Sequence, residues 1–124
     1  MKEARTKVAI TGSTGLVGRA LVTQLVTLGR YEVLSLTRKD STNLVAGARH
    51  LSIGDLTSRT NWHAALVGVH TLVHTAARVH VMQDTETDPL AAFRTVNVEA
   101  TLNLARQAAA VGVQRFVFIS SVKV

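Results

Sequence analysis

The sequence predicts an α/β protein built as an open, doubly wound parallel sheet with helices on both faces. Three observations carry this expectation. Short β-branched apolar runs alternate with longer stretches of helical spacing. The runs are apolar along their whole length, as strands covered on both faces are. A glycine-rich turn, Thr11-Gly12-Ser13-Thr14-Gly15-Leu16-Val17-Gly18, joins the first run to the first helical stretch. With right-handed crossovers these units give about five strands in the order 3-2-1-4-5.

The elements follow in sequence. Lys7 to Thr11 reads as a buried strand that ends at the glycine turn. From Leu16 to Leu28, Val17, Ala20, Leu21, Gln24, Leu25 and Leu28 keep helical spacing, and Gly29 stops the helix. Tyr31 to Thr37 is a second strand, followed by the polar turn Arg38-Lys39-Asp40-Ser41. Arg49 to Ile53 is a short third strand closed by Gly54-Asp55. Thr57 or Ser58 can cap a helix that runs to Val67, and Val69 to Ala76 is a fourth strand. Pro89, after Thr87 and Asp88, opens a long helix to Ala110. Gly112 ends it, and Arg115 to Ser121 is a fifth strand.

The long helix carries two apolar stripes. Phe93, Val96, Asn97, Ala100, Leu104 and Ala108 form the one expected against the sheet. Ala91, Val98, Leu102, Ala105 and Ala109 form a second, about 100° around the axis. Such an arc fits a further helix or a second subunit in a homodimer. It equally fits alanines that only raise helix propensity.

Composition narrows the function. A length of 124 residues, 47% apolar and 18% charged, leaves room for one domain and excludes disorder. With no cysteine there is no disulfide, thiolate metal site or cysteine nucleophile, which fits a reducing, cytoplasmic location. No apolar run reaches the ~18 residues of a membrane span. The net charge of +6 would suit a polyanion, but the basic residues fall singly, at Arg19, Arg30, Arg49, Arg59, Arg94, Arg106 and Arg115. A solvated basic surface is therefore expected, without nucleic-acid binding. His63 and His80 lack partners at ligand spacing, so no metal site is expected. His74, inside an apolar strand, reads as a hydrogen-bonded core residue.

The glycine turn is where chemistry enters. Gly12 permits the tight turn, Gly15 lets backbone approach a pyrophosphate, and Gly18 lets the helix pack close to the strand. The unpaired N–H groups at the helix start then face the phosphates. The spacing Gly-x-x-Gly-x-x-Gly is accompanied by Gly54-Asp55-Leu56, Val73-His74-Thr75-Ala76-Ala77, Asn97-Val98-Glu99-Ala100-Thr101 and Phe116-Val117-Phe118-Ile119-Ser120-Ser121. Together these resemble the extended branch of the short-chain dehydrogenase/reductase superfamily, the NAD-dependent epimerase/dehydratase family, over essentially the whole chain.

The resemblance implies a Rossmann-type domain over residues 1–124 and a role for each motif. Gly12, Gly15, Leu16, Val17 and Gly18 would cradle the pyrophosphate. Asp55 and Leu56 would meet the adenine, with Asp55 accepting from its amino group; the lesser alternative for Asp55 is a cap on the next helix. Thr75, Ala76 and Ala77 would line the nicotinamide-side ribose. Asn97 would contact the cofactor region or bond strand backbone. The resemblance also implies an acidic residue after the second strand in NAD-selective members. Here Thr37 is followed by Arg38 and Lys39, and Arg38 could pair with a 2′-phosphate, which favours NADP over NAD.

Catalytic parts are sparse. By resemblance Ser121 would hydrogen-bond the sugar oxygen, beside a Tyr-x-x-x-Lys pair. The only tyrosine, Tyr31, has Ser35 four residues on, so that pair is missing. The expectation is the N-terminal portion of a nucleotide-sugar 4-epimerase or 4-ketoreductase. It would be truncated before a sixth strand, lack its substrate domain and be inactive alone. The alternative is a non-catalytic NADP(H)-binding redox sensor.

Overall fold

The computed structural model describes residues 5–13, 16–37, 45–53, 60–75 and 89–119, with side chains in the last segment from residue 98 onward. The elements are β1 (Thr6–Thr11), α1 (Leu16–Leu28), β2 (Tyr31–Thr37), β3 (Arg49–Ser52), α2 (His63–Leu66), β4 (Thr71–His74), α3 (Pro89–Ala110) and β5 (Arg115–Phe118). The strands form one parallel sheet in the order β3-β2-β1-β4-β5. This is the expected Rossmann-type order, with the glycine turn leaving the central strand.

Alternation along the strands divides the core into two layers. Val8 and Ile10 of β1, Val33 of β2 and Val73 of β4 pack with Val22 of α1. Ala9, Leu34, Leu36 and Leu72 project to the other face, against Trp62, Ala65 and Leu66 and against Ala100, Leu104 and Ala108 of α3. Neighbouring residues of one strand thus serve opposite faces, as a period of two requires. Each fully buried aliphatic side chain contributes on the order of 1.5–3 kcal/mol.

Four expectations change. The buried face of α1 keeps Leu21 and Leu25 of the expected spacing but not Val17, Gln24 or Leu28. Gly18 and Val22 are buried, with Leu21, Leu25 and Val26 packed around them, whereas Val17 and Leu28 are exposed. The helix is rotated so that Gly18 meets the strand end. The helix expected to reach Val67 spans only His63–Leu66, and its first N–H is met by Asn61 Oδ1 at 3.0 Å. Thr57 and Ser58 lie outside the described residues. The third, fourth and fifth strands are shorter than expected, stopping at Ser52, His74 and Phe118. Finally, coverage on both faces holds for the central strands, while the edge strand β5 is exposed along its length.

On α3, Ala100, Leu104 and Ala108 are buried as expected, and Val98 and Leu102 of the second stripe are exposed. Phe93, Val96, Asn97 and Ala91 lie outside the described side chains. Among the described residues no helix is long and apolar enough to cross a membrane.

Candidate functional site

The carboxyl ends of β1, β2 and β4 meet the start of α1. Gly12 adopts φ +66°, a left-handed conformation that glycine enters without a Cβ penalty. Gly18 closes against it: a Cβ built at residue 18 would overlap the Gly12 carbonyl and lie 2.9 Å from Thr75 Oγ1. The third glycine of the motif is therefore required by a close approach of helix to turn.

This packing leaves the first turn of α1 open. Leu16 is 91% exposed and Val17 52% exposed. The N–H groups of that turn have no intrahelical acceptors and concentrate the positive end of the helix dipole. A glycine turn that leaves no room for a Cβ at residue 18, followed by such a helix start, fits the phosphates of a dinucleotide.

The turn is held from two sides. Toward β2, Ser35 Oγ hydrogen-bonds Ser13 Oγ, and Ser13 Oγ reaches the Leu36 carbonyl at 3.4 Å. Both serines are buried. Toward β4, the Thr75 N–H donates to Thr11 Oγ1 at 3.1 Å, and Thr75 Oγ1 donates to the Thr11 carbonyl at 2.5 Å. Thr11 Oγ1 lies 2.7 Å from His74 Nδ1, and His74 Nε2 faces Thr101 Oγ1 of α3 at 3.4 Å. Burial pushes the His74 imidazole down to about 4, so it is neutral near pH 7. His74 is the hydrogen-bonded core residue expected. The serine link between glycine turn and β2 was not foreseen, since nothing in the spacing of Ser13 and Ser35 shows which strand faces the turn.

The structure brings together Gly12, Leu16, Val17, Gly18 and Thr75, with Thr37 buried at the end of β2. Gly15, Arg38, Asp55, Leu56, Ala76, Ala77 and Ser121, and the side chain of Asn97, lie outside the described residues.

A second polar cluster anchors the chain before α2. Asn103 Nδ2 and Gln107 Nε2 both donate to the Thr60 carbonyl, at 2.9 and 2.7 Å. Gln107 Oε1 accepts the Trp62 N–H at 2.7 Å. The parallel register places Lys7 opposite Glu32 and Arg115 opposite Thr71 near the amino-terminal ends of their strands, away from the glycine turn.

Known proteins share both sequence and fold with this chain. It is 44% identical over 117 residues to the UDP-glucose 4-epimerase of Vibrio cholerae, covering 94% of this chain and 35% of that protein. It is 37% identical over 118 residues to a 3-beta-hydroxysteroid dehydrogenase of Mycolicibacterium neoaurum, covering 93% and 32%. The chain thus spans about a third of the length of these curated relatives. The structure of MoeE5 in complex with UDP-glucose and NAD superimposes with a TM-score of 0.70 at 29% identity, over 93% of this chain and 36% of that one. The family model for the NAD dependent epimerase/dehydratase family matches residues 8–124, and with the glycine turn and strand order in place the chain belongs to that family.

Proposed function

We propose that residues 1–124 form the cofactor-binding portion of an enzyme that exchanges hydride with a carbon of a nucleotide sugar. The observation that carries this is the interlock of Gly12, Gly18 and Thr75 beside the open start of α1. Similarity to a UDP-glucose 4-epimerase at 44% identity supports the sugar as substrate. The bound nicotinamide supplies a reversible hydride acceptor. Gly12, Gly15, Leu16, Val17 and Gly18 hold the pyrophosphate by backbone N–H groups. Asp55 and Leu56 flank the adenine; Thr75, Ala76, Ala77 and Asn97 line the nicotinamide side. Ser121 hydrogen-bonds the reacting sugar oxygen.

Arg38 pairs with a 2′-phosphate in this reading and gives NADP(H) preference over NAD(H). A sequence without Tyr-x-x-x-Lys has no phenol positioned to take the sugar hydroxyl proton, so this chain binds cofactor without turning over substrate. The exposed Val98 and Leu102 are the contact of a homodimer through α3.

Titration of the chain with NADPH and NADH tests the reading. Binding of either, abolished by Gly18→Val, is expected, with NADPH tighter in wild type and the difference removed by Arg38→Ala. No binding of either dinucleotide overturns the proposal. Tighter NADH binding, unchanged in Arg38→Ala, overturns the 2′-phosphate assignment alone. Leu102→Glu should abolish dimerisation in sedimentation equilibrium; a monomeric wild type removes the dimer contact.

A further inference from the structure

The ladder between β1 and β4 ends at the pair Thr11 and His74. Beyond it the two chains part, one turning through Gly12 toward α1 and the other leaving through Thr75. Backbone pairing stops at the level where the glycine turn begins. Side chains continue it. Thr75 returns two hydrogen bonds to Thr11, one to the hydroxyl and one to the carbonyl. The Thr11 hydroxyl in turn lies on His74 Nδ1. Thr75 Oγ1 also forms one wall of the niche that admits only glycine at residue 18.

A histidine at this place has a cost that an aliphatic residue would avoid, because a buried polar ring must have partners. Here both ring nitrogens have them, Thr11 on one side and Thr101 on the other. Either neutral tautomer satisfies the pair, since a threonine hydroxyl both donates and accepts. The ring is buried against Phe118 and Phe116, with centroids 5.6 and 6.3 Å away, and so does not touch a ligand above the sheet.

We propose that His74 is a positioning residue for the dinucleotide. From within the core it fixes the Thr11 hydroxyl, and through it Thr75, so that the niche around Gly18 and the glycine turn is set before the ligand arrives. This rests on the dinucleotide reading above. The Thr11 side of the ring matters for binding, whereas the Thr101 side serves only the packing of α3.

Four variants separate these roles. Thr11→Ser keeps the hydroxyl and Thr11→Val removes it with little change in volume. His74→Asn places an amide near the Nδ1 position, and His74→Gln places one near Nε2. Dissociation constants for NADH and NADPH are measured on the 124-residue chain together with melting temperatures. Leu104→Ala, a change in the core layer on the sheet face opposite α1, serves as a stability control. Thr11→Ser and His74→Asn are expected to bind within about threefold of wild type, and Thr11→Val and His74→Gln about tenfold more weakly. Leu104→Ala is expected to melt lower and bind unchanged.

Equal affinity of Thr11→Val and Thr11→Ser overturns the inference, and so does weakening that follows melting temperature across all five variants. Should a His74 variant not fold, the Thr11 pair decides. A wild-type chain that binds neither dinucleotide overturns the cofactor reading itself, a different result from wild-type binding that the variants leave unaltered.

Discussion

Gly18 and Gly12 stand so close that a Cβ at residue 18 would come 2.7 Å from the Gly12 carbonyl carbon. Gly18→Ala is therefore an overpacking change, expected to destabilise the chain by about 1–3 kcal/mol in urea unfolding. The methyl must push α1 away from the turn, so dinucleotide affinity should fall by about tenfold or more. An alanine variant with wild-type stability would show that the turn has room that the packing denies.

The buried His74 gives stability a defined pH dependence. Its folded value is about 4 against 6.5 when unfolded, so between those values the unfolded chain binds the extra proton. The stabilisation is complete above pH 6.5 and is lost as pH falls toward 4, amounting to roughly 3 kcal/mol at 1.36 kcal/mol per pH unit. Unfolding free energies measured from pH 7 to pH 4 should decline along this window. In His74→Asn the decline should be shallower by about one proton. A parallel decline would place the titrating group elsewhere.

Two leucines of α3 separate its faces. Leu104 is fully buried, and Leu104→Ala should cost about 2–5 kcal/mol. Leu102 is 46% exposed, and Leu102→Ala should stay within about 0.5 kcal/mol in the monomer. Chemical denaturation of both variants checks the orientation of the helix; similar losses would contradict it.

Gln107 joins three backbone and side-chain groups from separate parts of the chain. It bonds the Trp62 N–H, the Thr60 carbonyl and Asn103 Oδ1. Gln107→Leu leaves those groups without this partner, and a loss of about 1–3 kcal/mol is expected. Trp62 is the single tryptophan, so its emission should report the change directly. Unaltered emission and stability would show that water replaces the amide.

Much of this was legible from local pattern. The bounds of α1 and α3 and the extent of β2 follow from periodicity, the glycine stop and Pro89, which are local signals. The strand order follows from alternation and handed crossovers. The buried face of α1 was misread because a hydrophobicity stripe counts Leu28 and Val17 and gives no weight to Gly18, which is buried for its lack of a side chain. The helix expected before Val67 begins only at His63, because its start is set by Asn61 and by the grip of Gln107 on Trp62, a contact 45 residues away. The tie from Thr11 through His74 to Thr101 joins three elements, and no spacing within any one of them announces it.

The position of β1 also bears on how the chain assembles. Among the described strands it comes earliest in the chain, yet it is flanked on both sides, and its partner His74 lies 63 residues beyond Thr11. Contacts of such sequence separation form slowly, because a long loop must close before the contact stabilises anything. A pair of β1 and β2 can form early, but one edge of β1 stays unpaired until β4 is available. The glycine turn can take its final shape only after that docking, since Thr75 supplies one wall of it. The central strand is thus completed only by a segment that lies far beyond it in the chain.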